Sequence, residues 1–386
     1  MLRLKLIVAL LAATGGLYVP FANSENEPIA PSVGGSRLSA LLGNDDSQGF
    51  PKALKHRDFI FPADHGPHPQ YRNEWWYLTG NLQGENGRRF GYELTIFRFA
   101  MTPGAPQSES AWRTNQVYIA HFAISDIDRE EFYAGQRFSR GALELAGAQA
   151  EPFRVWVDDW QMRAPGTSSV TGAESWRVVA GEPGFAIELT LDAVRAPVLN
   201  GRHGLSQKSA EPGNASYYYS MPRWETAGTV RIADQVYRVD GLSWLDREWG
   251  SSALAANQQG WDWFALQLDD GSDLMFYNIR TSDDNQDPHS AGTWMEHEGD
   301  SVYLARDDVS LQVTDNWRSP QGGVYPAAWR IEIPARELHL NVRPLLADQE
   351  LITTVRYWEG AVEVTGTRAG LAVSGSGYVE LTGYAE

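Results

Sequence analysis

The chain has 386 residues and a formal net charge of −17, with 42% apolar and 21% charged residues. That balance fits a globular protein of about two domains and argues against a nucleic-acid partner, because phosphate backbones call for a basic face. Zero cysteines exclude disulfides, a thiolate nucleophile, Cys-ligated zinc and a lipid-anchored N-terminal cysteine.

Residues 1–24 read as a secretory signal peptide. Arg3 and Lys5 form a short basic start, Leu6 to Ala22 is apolar and uncharged, and Ala22-Asn23-Ser24 offers small residues where a signal peptidase cuts. Gly15, Gly16 and Pro20 interrupt the apolar stretch, which is shorter than the roughly 20 residues of a membrane span. Cleavage would remove two positive charges and take the net charge from −17 to −19. No later segment is long and apolar enough to span a bilayer as a helix. A mature form that does not span the membrane, periplasmic or secreted and not a lipoprotein, is expected.

Residues 25–56 are rich in Ser, Pro, Gly and Asn and read as a mobile linker. Beyond them the pattern has period two. Phe185, Ile187, Leu189 and Leu191 alternate with polar or small residues. So do Phe264, Leu266 and Leu268; Val309, Leu311 and Val313; Trp329, Ile331 and Ile333; and Leu338, Leu340 and Val342. Alternation of this kind marks strands with one buried face. Glu85-Asn86-Gly87, Asp269-Asp270-Gly271 and Pro320-Gln321-Gly322-Gly323 punctuate them as turns, and Ser374-Gly375-Ser376-Gly377 reads as a flexible turn. An all-β, antiparallel protein is predicted, closed into barrels or packed sheets that hide strand edges.

A faint repeat supports two related β-domains, at 57–248 and 249–386. Glu74-Trp75-Trp76-Tyr77 leads through a turn to Phe90-Gly91-Tyr92 and Ile96-Phe97-Arg98. Trp261-Asp262-Trp263-Phe264 leads through a turn to Leu274-Met275-Phe276-Tyr277 and Ile279-Arg280.

Three clusters have chemical potential. His65 and His68 have a metal-ligand spacing but sit in a Pro/Gly loop without an obvious third ligand, so hydrogen bonding is expected there, with no metal and no cofactor. Of the adjacent Trp75, Trp76 and Tyr77, at least one Trp should face a barrel interior, as core or as the wall of a ligand pocket. The run Tyr217-Tyr218-Tyr219 suits a cavity or an interface, since buried hydroxyls need partners. In Trp244-Leu245-Asp246-Arg247-Glu248-Trp249 a strand would put Trp244, Asp246 and Glu248 on one face. An acid between indoles has its pKa raised by desolvation, and Glu248 would raise it further by like charge. The alternative is an ion pair of Asp246 with Arg98, Arg247 or Arg280. No G-x-S-x-G elbow, phosphate-binding loop or dinucleotide fingerprint occurs.

These motifs, together with Ser139-Arg140-Gly141, Gly260-Trp261-Asp262-Trp263-Phe264, Tyr357-Trp358-Glu359-Gly360 and Gly377-Tyr378-Val379-Glu380-Leu381-Thr382-Gly383-Tyr384, resemble the AttH/CrtC family of lipocalin-like proteins, which includes carotenoid 1,2-hydratases. The resemblance covers nearly everything after about residue 57. It implies two lipocalin-like β-barrel domains packed together with a cavity for an apolar ligand. In the family's hydratases an Asp protonates a C=C bond, and Asp246 matches it. The hydratases carry Tyr two residues earlier, where this chain has Trp244. Two functions are therefore expected. One is an exported protein that binds an apolar, lipid- or isoprenoid-like molecule through Trp76, Tyr77, Tyr219, Trp244 and Trp263, with an ABC transport system as candidate partner. The other is a hydro-lyase with Asp246 as acid beside Glu248. A third, structural reading makes the Trp/acid clusters domain glue.

Overall fold

Alternating residues and Gly turns build a molecule made almost wholly of antiparallel strands. The computed structural model describes residues 47–164, 174–251, 254–283 and 285–385. The expected signal peptide at 1–24 and residues 25–46 of the expected linker lie outside the described residues. The remainder of that linker is held in place: Ala53 is fully buried in the core, and the Pro51 carbonyl accepts a hydrogen bond of 2.5 Å from Ser251.

The strands in chain order are β1 (Asn73–Gly84), β2 (Arg89–Ala100), β3 (Gln116–Asp126), β4 (Glu131–Arg140), β5 (Ala146–Gln149), β6 (Arg154–Val157), β7 (Trp160–Arg163), β8 (Ser175–Glu182), β9 (Phe185–Ala193), β10 (Val198–Leu199), β11 (Leu205–Gln207), β12 (Ala215–Ile232) and β13 (Gln235–Gly250). There follow β14 (Gln258–Leu268), β15 (Asp273–Thr281), β16 (Ala291–Met295), β17 (Ser301–Ala305), β18 (Ser310–Arg318), β19 (Val324–Ile333), β20 (Leu338–Pro344), β21 (Glu350–Ile352), β22 (Arg356–Arg368) and β23 (Leu371–Thr382). The only helical pieces among the described residues are short 3-10 turns such as Ala63–His65.

The first thirteen strands form one sheet, ordered β4-β3-β2-β1-β13-β12-β9-β8-β7-β6-β5, with β10 and β11 added along β12. It curls into a nearly closed barrel. Its two ends approach one another, and Arg137 on β4 bridges to Glu182 at the end of β8. The last ten strands form a half-barrel ordered β17-β16-β15-β14-β23-β22-β20-β19-β18, with β21 on β22. The two sheets meet in sequence between Gly250 and Gln258.

Indoles fill both interiors. Trp76, Trp160, Trp176, Trp224 and Trp249 pack inside the first sheet, and Trp294, Trp329 and Trp358 inside the second. Each buries a large apolar area, so these are cores and not ligand chambers. The predicted turns lie where expected: Glu85-Asn86-Gly87 joins β1 to β2, and Asp269-Asp270-Gly271 joins β14 to β15. Gly87 (φ 82°) and Gly271 (φ 84°) adopt the left-handed backbone such turns demand. Ser374-Gly375-Ser376-Gly377 is a correction. It is not a turn but the middle of β23, paired on both sides with β14 and β22. A Cβ on Gly375 or Gly377 would strike the carbonyls of Gln267 and Ala265, so close backbone approach explains the glycines.

The outer faces of the two sheets pack against each other. Gly91 on β2 lies so near β22 that a Cβ there would stand 2.6 Å from that of Ala361. Polar contacts cross this junction: His121 Nδ1 to the Tyr357 hydroxyl at 2.5 Å, Ser125 to Gln349 at 2.6 Å, Asn81 to the Gly377 carbonyl at 2.9 Å, and Arg223 to Asp273 at 2.8 Å.

Candidate active site between the two sheets

The Asp246 segment lies on β13 with the expected parity. Leu245 and Trp249 point into the first core, Arg247 lies over the Trp76 ring at 3.9 Å, and Trp244, Asp246 and Glu248 face the second sheet. The partner strand β12 places Ser220 opposite Asp246 and Tyr218 opposite Glu248. Across the junction come Trp261 and Trp263 from β14, Tyr277 from β15, Glu359 from β22 and Glu380 from β23. Together these enclose a cavity of about 80 Å³, also lined by Trp75, Tyr77, Phe97, Lys208, Leu254 and Ile279. Trp75, Phe97, Lys208 and Trp261 retain partial exposure and mark its open side.

Asp246 is buried and pairs with no cation among the described residues. Its Oδ1 accepts hydrogen bonds from the Ser220 hydroxyl (2.5 Å) and the Trp244 indole N–H (2.7 Å), and its Oδ2 accepts one from the Tyr218 hydroxyl. Burial pushes its pKa up to about 7; the three neutral donors pull it down and Glu248 adds a smaller upward push. That rise corresponds to ~4 kcal/mol in favour of the neutral acid. The Tyr218 hydroxyl also accepts from the Trp263 indole at 3.0 Å, and burial with the Asp246 charge raises its pKa well above the ordinary phenol value. It therefore stays protonated.

The ion-pair alternative fails because the three arginines have other partners. Arg98 and Arg247 both bind Glu74, with Arg98 Nε 2.5 Å from Oε1, and Arg280 binds Asp262 at 3.1 Å. Glu74 is fully buried, and the two guanidiniums hold its pKa below the usual carboxylate range against the cost of burial. His65 and His68 belong to the same knot. His65 Nδ1 lies 2.6 Å from the Tyr219 hydroxyl, and His68 Nε2 lies 3.0 Å from Asp64 while its ring stacks on Trp249 at 3.8 Å. These contacts give both histidines a hydrogen-bonding role.

Of the residues expected to contact a ligand, Tyr77 and Trp263 line the cavity and stack edge-to-face at 4.9 Å. Trp244 stands behind Asp246 as a hydrogen-bond donor. Trp76 and Tyr219 are corrections: both are fully buried in the first core, because neighbouring residues on a strand point to opposite faces and theirs is the inner one. Glu248 lines the cavity and is neutralised, with Lys208 Nζ 3.1 Å from its Oε1 and Ser216 donating to the same oxygen.

Sequence reasoning did not single out Tyr218, Lys208, Glu359 and Glu380 as site residues. The parity of β12 and the family motifs around Glu359 and Glu380 carried the signal, but reading it required the strand register. Glu359 accepts a hydrogen bond of 2.7 Å from the Tyr77 hydroxyl. It stands directly opposite Glu380 across β22 and β23. Burial raises both pKa values, to about 8 for Glu380, and pushes up that of the fully buried Glu93 on β2 as well.

Known proteins share this plan. An AttH-like family model matches residues 52–384. The crystal structure of a protein provisionally named AttH from Nitrosomonas europaea superposes with a TM-score of 0.76 at 34% identity, covering 87% of this chain and 100% of that one. Kievitone hydratase of Fusarium solani subsp. phaseoli is 22% identical over 320 residues, 81% of this chain and 82% of that protein. The dehydratase AsqC of Emericella nidulans is 24% identical over 225 residues, and the match spans 53% of this chain and 60% of the dehydratase. The fold, the aromatic and acidic motifs and a match over most of the described chain agree: this chain belongs to the AttH-like family.

Proposed function

We propose that the chain adds water to a carbon–carbon double bond, or removes it in the reverse direction, in the cavity between the sheets. One observation carries this reading: Asp246 lines the cavity as a buried carboxyl without a cationic partner among the described residues, protonated in part at neutral pH. Such an acid can give its proton near pH 7. Two donors already occupy Oδ1, so the proton belongs on Oδ2, beside Tyr218. With the acid protonated, the bond between Oδ2 and the Tyr218 hydroxyl reverses: Tyr218 then accepts from Asp246 as well as from Trp263, and its own hydrogen turns to the cavity. Proton transfer to one alkene carbon leaves a cation on the other. The rings of Tyr77, Trp261 and Trp263 line the cavity, and aromatic faces favour positive charge. Water then forms the C–O bond, and its surplus proton returns to the carboxylate. The relatives named a hydratase and a dehydratase support the reaction class.

The wall composition supports an apolar, isoprenoid-like substrate carrying the alkene. Binding a large lipid inside either barrel is disfavoured, because indoles fill both interiors. The leader at 1–24 supports an extracytoplasmic setting, which N-terminal sequencing of the exported protein would check. A link to an ABC transport system rests on the family resemblance alone.

The test is incubation of the purified chain in deuterium oxide with kievitone, with isoprenoid alkenes, and with the tertiary alcohols of those alkenes. Mass spectrometry should show gain of water with one carbon-bound deuterium from the alkenes, or loss of water without one from the alcohols. Asp246→Asn should lower the rate about 10²–10⁴-fold. Turnover that survives this substitution, or none across the whole panel, would contradict the proposal.

A further inference from the structure

The charge balance of the cavity is lopsided. Asp246, Glu248, Glu359 and Glu380 line it, while Lys208 is its sole basic residue among the described residues and is already bound to Glu248. Glu359 and Glu380 have no basic partner among the described residues. Glu359 is 1% exposed, and its Oε1 has no hydrogen-bond partner among the described residues. An oxygen left so deep without a partner is costly, and a donor or a positive charge entering the cavity would relieve it.

The shape of the site says which kind of cation. No group of three His, Cys, Asp or Glu side chains among the described residues could hold a metal ion. The acids stand apart, between aromatic walls. Tyr77 and Trp263 meet edge-to-face at 4.9 Å, and Trp261 flanks Glu380. Burial favours the protonated forms of Glu359 and Glu380 in the empty cavity, and a bulky, weakly hydrated cation on the rings beside them would draw those protons off, suiting the site better than a small ion that demands close oxygen ligands. Lys208 Nζ already lies 4.1 Å from the Tyr277 ring centre on the same wall, so the site holds one ammonium group against an aromatic face.

We propose that this cavity binds an organic ammonium group, seated on the Tyr77, Trp261 and Trp263 rings with its charge met by Glu359 and Glu380. A cavity of about 80 Å³ suits a compact head group such as trimethylammonium. The overall negative charge of the chain draws such ions in. The inference stands on the charge and walls of the cavity and does not require the cavity to be catalytic.

The experiment compares choline with 3,3-dimethyl-1-butanol, its neutral carbon counterpart, by calorimetry and tryptophan fluorescence on the full chain at fixed ionic strength. Choline should bind at least ten times more tightly. Glu359→Gln and Glu380→Gln, with fold checked by circular dichroism, should each remove most of that advantage. Should either glutamate variant fail to fold, Trp261→Leu at the open rim should weaken choline, and saturation-transfer NMR on the wild type should pass magnetisation from aromatic protons to the N-methyl groups. Equal binding of the two probes, no saturation by either, or a choline advantage that survives in the folded glutamate variants would overturn the inference. Its failure would leave the hydration proposal standing, since that one rests on Asp246, which these variants do not alter.

Discussion

Asp246 and Glu74 are both buried acids of the first sheet, and their surroundings drive them in opposite directions. Two guanidiniums and the His68 amide hold Glu74 ionised, whereas Asp246 meets only hydroxyls and an indole N–H and is held near neutrality. Removing one partner of the Glu74 knot would strand a charge, so that knot is structural. The acids around the cavity have a consequence for stability. Folding raises the pKa of Asp246 from 3.8 to about 7 and that of Glu380 from 4.5 to about 8. The folded chain thus keeps protons that the unfolded chain releases, and stability from these groups is full below pH ~4 and is lost as pH rises through ~7 to 8. For Glu380 the whole rise corresponds to ~5 kcal/mol, so even a fraction is measurable. Urea midpoints should fall between about pH 5 and pH 8, and Glu380→Gln should flatten that fall. An unchanged slope in the variant would show that Glu380 titrates normally.

At the scale of strands, the faint repeat has a structural counterpart. Glu74 on β1 pairs with Arg98 on β2, and Asp262 on β14 pairs with Arg280 on β15. In each sheet an acid on an aromatic strand is tied to an arginine near the end of the next strand, and the Trp that follows the acid faces the other sheet. The glycines of β23 are equally specific. Gly377 lies where the Ala265 carbonyl leaves no room for a Cβ. Gly377→Val should cost about 3 kcal/mol in urea unfolding by forcing β14 and β23 apart. A loss under about 0.5 kcal/mol, the range of an ordinary surface change, would show that the sheet yields there. Alternation and turn residues made most strands legible from the sequence, and the parity of Trp244, Asp246 and Glu248 was legible too. Ser374-Gly375-Ser376-Gly377 misled because small residues favour turns and close strand packing alike. Tyr219 was singled out instead of Tyr218 because parity within β12 shows only after its register with β13 is known.

At the scale of the whole molecule, the candidate cavity lies inside neither sheet's core. Each interior is closed by its own indoles, and the recess arises where the outer faces of two sheets meet, with Asp246 on one and Glu359 and Glu380 on the other. Period-two patterns mark which residues share a face, but they do not tell an inner face from an outer one that a second sheet covers. The location of the site was therefore not legible, although the acid itself was. The proposed reaction requires Asp246 to be a neutral acid in that recess. Difference infrared spectroscopy of the wild type against Asp246→Asn, recorded across pH, measures this directly. A protonated carboxyl C=O band, absent from the variant, should titrate with a midpoint near the raised value of about 7. A band that is already lost by about pH 5, near the ordinary range of an aspartic acid, would contradict it.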